Sequence, residues 1–265
     1  MKVVCAIAYD GTNFHGSQFH PVVRTVQGEF NIALEKILKQ PLRTDLAGRT
    51  DAGVHANYQV CSFDLTNKRM NEKNFKEAFN SLLPDDMRVM KVWFEDDSFN
   101  PRSNATKRIY HYFIYNAKER NVFLRDRVWW FPYHLDVEKM REGARYFEGT
   151  HDFTSFASID KDDDRTPVRT IYRVRVLTYS KYMLVRFEGK SFLRRMVRNM
   201  VGTLVKVGTG DWNPEKIQEL LEIKDRTKAG ATAPSQGLYL YRVFFEQKQN
   251  RVVCQQPTTF RGVGL

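Results

Sequence analysis

A chain of 265 residues is long enough for one large or two medium domains with a real core. Its 42 Lys and Arg against 31 Asp and Glu leave a formal charge of +11, which favours a polyanionic partner, nucleic acid first among them. Hydrophobic content of 42% excludes a disordered chain. The three scattered cysteines (Cys5, Cys61 and Cys254) form no CxxC pair and exclude a zinc ribbon or a disulfide framework. No signal pattern and no run of about 18 apolar residues is present, so a cytoplasmic protein without a membrane segment is expected.

Val3 to Tyr9 is a dense apolar run and predicts a central strand, with Cys5 as a small buried hydrophobe, and Asp10-Gly11-Thr12 closes it with turn residues. Asn13 to Arg24 is either a ligand-contacting loop or an ordinary surface loop. Thr25 can cap a helix carrying Val26, Phe30, Ala33, Leu34, Ile37 and Leu38 at helical spacing, with Pro41 as its stop. Leu42 to Ala47 and Tyr58 to Leu65 predict strands, the second holding Cys61. Phe75 to Leu82 predicts a helix and Met87 to Phe94 a strand.

The second half opens with a strand from Arg108 to Tyr115, whose period of two puts Arg108, Tyr110, Tyr112 and Ile114 on one face. A helix over Val137 to Phe147, strands over Thr170 to Tyr179 and Tyr182 to Glu188, helices over Phe192 to Val207 and Pro214 to Leu221, and a last strand over Gly237 to Phe245 follow. The element order of the first half thus recurs with one helix added. The fold class is α+β: two similar α/β domains with antiparallel sheets, 1–104 and 105–247, with a cleft between them and a tail over 248–265.

Four stretches carry candidate chemistry. Gly48-Arg49-Thr50-Asp51-Ala52-Gly53-Val54-His55-Ala56 lies between two strands. It is a polar turn, or a loop in which Asp51 serves as nucleophile or general base. Tyr110 stacks on a base, as strand aromatics of RNA-binding sheets do, or packs in the core. Arg194 and Arg198, one turn apart on the margin of an apolar helix face, reach a carboxylate or run out to water. Ala229 to Leu240 is a close-packed loop entering a strand. Asp160, Asp162 and Asp164 match the first ligands of a calcium loop, but Arg165 and Ile171 occupy its glycine and glutamate positions, so a solvated acidic loop is expected and no metal.

GRTDAGVHA resembles the catalytic loop of the TruA family of tRNA pseudouridine synthases. Tyr9-Asp10-Gly11-Thr12, Phe99-Asn100-Pro101-Arg102 with Arg108 to Tyr112, Met196 to Leu204, and Ala233 to Leu240 are similar to further blocks in the same order. The resemblance covers about Val4 to Phe245. It implies Asp51 as the catalytic aspartate, Tyr110 as the stacking tyrosine and proton acceptor, and Arg198 as the arginine paired with Asp51. Leu238, with Leu240 close by, would form the apolar pocket wall. Arg49, His55 and Arg108 are expected to contact substrate. The implied cleft is basic, the implied assembly a homodimer, and the implied substrate uridine at positions 38–40 of the tRNA anticodon stem-loop. The isomerisation calls for no cofactor. The chain departs from the family pattern at Ser17, where an aromatic usually precedes Gln18. Rival readings are the same chemistry on ribosomal RNA, a non-catalytic RNA-binding module, and a metal-dependent nuclease using Asp51, His55 and the Asp160 to Asp164 run.

Overall fold

The computed structural model describes residues 1–65, 70–158 and 166–246. The acidic run Asp160 to Asp164, Cys254 and the tail 248–265 lie outside the described residues.

The chain forms an α+β structure built on one ten-stranded, mostly antiparallel sheet. Strand β1 (Lys2–Tyr9) is buried along both faces and pairs with β3 (His55–Asp64) and β4 (Met87–Glu95). Helix α1 (Val26–Leu38) starts where Thr25 accepts the Gly28 N–H, and ends at Lys39 in the left-handed region. Its stripe Val26, Phe30, Ala33 and Leu34 is buried, and Phe30 stacks on Phe79 of α2 (Glu72–Leu82) at 4.5 Å. β2 is shorter than the expected Leu42 to Ala47: it spans Thr44–Leu46 and pairs with β3 alone.

In the second half β5 (Ala105–Asn116), β8 (Val168–Tyr179) and β9 (Tyr182–Gly189) form antiparallel ladders, and β10 (Leu238–Phe245) closes the chain. Helix α3 (Val137–Arg145), α4 (Met196–Gly208) and α5 (Lys216–Ile223) accompany them. Two short strands, β6 (Trp129–Phe131) and β7 (Gly149–Asp152), were not expected; three or four residues are too few to show a period. The helix expected from Phe192 begins at Met196. Phe192 fits its apolar stripe, but Arg195 sits in the left-handed region at φ 59° and breaks the path before it.

The strand order is β4-β1-β3-β10-β5-β9-β8-β7. β10 therefore lies at the junction of the halves, parallel to β3 through Tyr239↔His55 and Leu240↔Ala56, and antiparallel to β5 through Leu238↔Tyr112 and Leu240↔Tyr110. Backbone pairing thus sets the start of β3 across β10 from the middle of β5. Even-numbered residues of β5 from Tyr110 to Ile114 join the main core under the helices; Phe113 and Tyr115 join a smaller cluster on the other face. No helix among the described residues is long and apolar enough to cross a membrane.

Candidate active site

The Asp51 loop is pinned on both flanks. On one side the Thr50 N–H donates to Ser17 Oγ at 2.8 Å, the Ser17 N–H donates to the Thr50 carbonyl at 3.0 Å, and the Thr50 hydroxyl bonds that of Tyr9 at 2.8 Å. On the other, Gly53 takes φ 77° and its N–H donates to the Phe14 carbonyl at 3.3 Å. Ser17, Thr50 and Phe14 are buried, so these contacts are shielded from competing water. The loop over residues 13–24 is thereby the platform for the Asp51 loop. Asp51 stands between the pins with its side chain 25% exposed.

Arg198 arrives from the second half. It is the third residue of α4, and its Nε donates to the Ala233 carbonyl at 2.8 Å while the Ala233 N–H donates to the Arg198 carbonyl at 3.1 Å. This strap lies so close to α4 that a Cβ on Gly202 would stand 1.7 Å from the Ala231 carbonyl oxygen. Asn199, Thr232 and Arg226 bond one another behind it, and Asn199 donates to the Phe156 carbonyl. So held, the Arg198 guanidinium donates through Nη1 to Asp51 Oδ2 at 2.6 Å. This is a charge-assisted bond between residues 147 apart in sequence. Asp51 Oδ1 accepts no hydrogen bond from the described residues.

Tyr110 lies on β5 with the Phe192 ring edge-on at 5.0 Å. Burial pushes its phenol up to about 12; Arg108 pulls it down, and the charge of Asp51 raises it further. The hydroxyl faces Gly48, where a Cβ would meet it at 3.9 Å. One carboxylate, one guanidinium and one phenol thus converge from a loop, a helix and a strand. Such a group of side chains can hold an ionised carboxylate beside an aromatic platform.

The family model of the tRNA pseudouridine synthases matches residues 5–100 and 144–246. The chain belongs to this family. It is 56% identical over 245 residues to the tRNA pseudouridine synthase A of Thermotoga neapolitana, covering 92% of this chain and 99% of the relative. It is 56% identical over 239 residues to that of Thermosipho africanus, covering 90% and 97%. With the synthase of Pseudothermotoga lettingae it shares 56% identity over 245 residues, again 92% and 99% of the two chains.

The remaining expected site residues of this family member fall in different surroundings. Leu238 is buried two cross-strand pairs beyond Tyr110, opposite Tyr112, and Leu240 is Tyr110's direct partner. Arg49 is exposed beside Asp51, with no ion pair or hydrogen bond to the described residues. Arg108 was expected to contact substrate. Its guanidinium is instead buried and donates to the carbonyls of Ala47 at 2.7 Å, Arg102 at 2.8 Å and Lys190 at 2.7 Å. Burial holds its pKa below the ordinary arginine range, and it ties the start of the Asp51 loop to β5.

His55 was also expected at the substrate, but its contacts are with Asp10, Gly11 and Tyr239. The ring is buried and stacks on Tyr239 at 4.5 Å, with Nδ1 3.0 Å from both Asp10 Oδ1 and the Gly11 nitrogen. One nitrogen cannot donate to the first and accept from the second. The carboxylate is the stronger partner, so Nδ1–H donates to Asp10. Sequence reasoning missed the Ala233 strap and the Ser17 pin. Ser17 did stand out as a departure from the family pattern, and it is the residue that bonds Thr50 twice.

Proposed function

We propose that Asp51, Arg198 and Tyr110 carry the reaction of this pseudouridine synthase, the isomerisation of uridine to pseudouridine in tRNA. The observation that bears the reading is the 2.6 Å pair between Arg198 and Asp51, which balances the carboxylate and leaves its other oxygen unbonded. Pseudouridine formation breaks the bond from ribose C1′ to uracil N1 and makes one from C1′ to C5, with loss of the C5 proton. The uridine leaves its stack at a cost of a few kcal/mol. Stacking on Tyr110, worth about 1–3 kcal/mol, offsets this.

Asp51 acts on the ribose through its unbonded oxygen, by attack at C1′ or removal of the 2′ proton. Both routes use an ionised carboxylate, which Arg198 stabilises. Leu238 and Leu240 wall the space in which the freed uracil turns. The Tyr110 phenol, pushed up to about 12 by burial, is protonated at neutral pH. It serves as acceptor of the C5 proton by handing its own proton to the Asp51 carboxylate, whose charge it feels. Arg49 meets a phosphate beside the target, and Arg108 positions the loop from behind.

The reading extends to the anticodon stem-loop as target, to a homodimer, to the cytoplasm where tRNA is processed, and to the halves 1–104 and 105–247 as two domains flanking the cleft. Release of tritium from C5-labelled tRNA, with mapping of the modified positions, tests it. Loss of release in Asp51→Asn with tRNA binding retained is the expected result. Release at the parent rate removes Asp51 from the mechanism, and modification outside the anticodon arm removes the target.

A further inference from the structure

The sheet face turned away from α3 and α4 has a register of its own. Arg175, Arg186, His111, Tyr239 and His55 stand directly opposite one another across five neighbouring strands. The next row runs Arg173, Glu188, Ile109 and Arg242. The Phe113 end of this face is closed by Leu124 and Val128, which pack on Phe113, Tyr115, Leu184 and Tyr239. Beyond that cluster His55, His111, Tyr239 and Ile109 are buried, and the two rows reach solvent at Arg173 and Arg175 on β8.

The exposed β8 side is basic. Glu188 is the one acidic residue in β5, β8, β9 and β10, and it is shared between Arg186 at 2.9 Å and Lys107 at 3.4 Å. Arg173 and Arg175 are exposed, with no ion pair to the described residues. Arg175 directly opposes Arg186, whose charge Glu188 balances at 2.9 Å, so Arg175 is the cation of the pair that faces solvent. Burial and the charge of Arg186 push His111 down to about 3, so it remains neutral and adds no charge. Aromatic rings interleave with the cations: Arg242 lies 5.3 Å from the Tyr58 ring and 5.5 Å from Phe244, and Lys107 lies 4.6 Å from Phe244. Exposed strand cations with aromatic side chains beside them suit a surface that takes phosphates and bases.

We infer that this face is a second RNA-contact surface, which binds the backbone of the tRNA substrate away from the uridine engaged at Asp51. The inference rests on tRNA being the substrate, and its test keeps the two apart. The double variant Arg173→Ala with Arg175→Ala removes two exposed side chains that touch neither Asp51 nor Tyr110. Binding of full-length tRNA is measured across a salt series, turnover at saturating tRNA, and solution mass by sedimentation. The expected result is a roughly tenfold rise in Kd and a slope of log affinity against log salt shallower by about 2. Turnover at saturation stays at the parent value, and Arg→Lys at both positions restores most of the affinity. A parent-like Kd and salt slope overturn the inference. A halved mass with unchanged tRNA affinity overturns it too, assigning the face to contact between copies. If the parent protein itself neither binds nor modifies tRNA, the proposed function fails first.

Discussion

Asp10 and Asp51 are carboxylates of the first half that each meet an arginine of the second, and their side chains are equally exposed, 24% and 25%. What separates them is the number of donors. Asp10 Oδ1 accepts from the Thr12 N–H, the Thr12 hydroxyl and His55, and Oδ2 accepts from Arg127 at 2.7 Å. Burial opposes its ionisation, but these donors outweigh burial and hold its carboxyl well below the usual range. Asp51 has Arg198 on one oxygen and nothing on the other. A carboxylate saturated with donors is a fastener. One that keeps a charge-balanced oxygen in reserve is fit for reaction.

The largest expected effect breaks the reactive member. Asp51→Asn keeps the shape and removes the charge, so turnover should fall by at least about a thousandfold, measured by tritium release, with the thermal midpoint near that of the parent. Next is Arg198→Lys. An ammonium cannot bond Ala233 and Asp51 together as the planar guanidinium does, and turnover should fall about a hundredfold with tRNA affinity little changed. Turnover near the parent rate in Arg198→Lys would mean that charge alone suffices and that the strap has no part in aiming it.

Asp10→Asn should invert this pattern. Losing the charged member of a four-donor cluster should lower stability by about 1–3 kcal/mol in thermal or denaturant unfolding, with turnover of the folded fraction close to normal. The sign with pH follows from a depressed folded pKa. The stabilisation from Asp10 is fully present above the unfolded value of about 4 and is lost as pH falls through the folded value. The gap in midpoint between parent and Asp10→Asn should therefore hold from neutral pH down to about 5 and close below about 4. A gap that widens on acidification would show that the cluster is not held by the ionised carboxylate.

The two carboxylates were not equally readable beforehand. Asp51 stood inside a motif, and Arg198 and Tyr110 came with the same family resemblance, so the three residues that the fold brings together were named before their geometry was known. Asp10 read only as a turn residue, because His55 reaches it through the β1–β3 ladder, where Tyr9 pairs with Ala56, and Arg127 is held near it by the Tyr239 hydroxyl of β10. Pairing between strands so far apart in sequence leaves no local period to read. The Ala233 strap was hidden for another reason: its acting atoms are a backbone carbonyl and N–H, which every residue but proline carries. Arg108 and His55 were placed at the substrate by residue type and motif position; in the fold three carbonyls occupy the first and a carboxylate the second, contacts that residue type does not reveal. The helices and most strands were legible because they bury one stripe; α4 was read too long because Phe192 is apolar for Tyr110 rather than for the helix.

Gly11 next to Asp10 and Gly48 at the start of the Asp51 loop sharpen the contrast, and the smallest expected effect is at Gly48. A Cβ at Gly11 would stand 2.0 Å from the Val54 carbonyl oxygen, so Gly11→Ala must push the loop off β1 and should cost several kcal/mol of stability. At Gly48 the backbone φ is ordinary for any residue, and a Cβ would meet only Arg108 Nε and Tyr110 Oη, both at 3.9 Å. Folding therefore has no need of glycine there, and Gly48→Ala should leave the midpoint unchanged or raise it slightly through the stiffer unfolded chain. Yet the added methyl would stand before the Tyr110 hydroxyl, where the proposed mechanism has the uracil turn. Catalytic efficiency should fall about tenfold, the cost of roughly 1.4 kcal/mol at the transition state. Stability and activity would then move independently at Gly48 and together at Gly11. If Gly48→Ala turned over at the parent rate, the space in front of Tyr110 would not be where the base is handled.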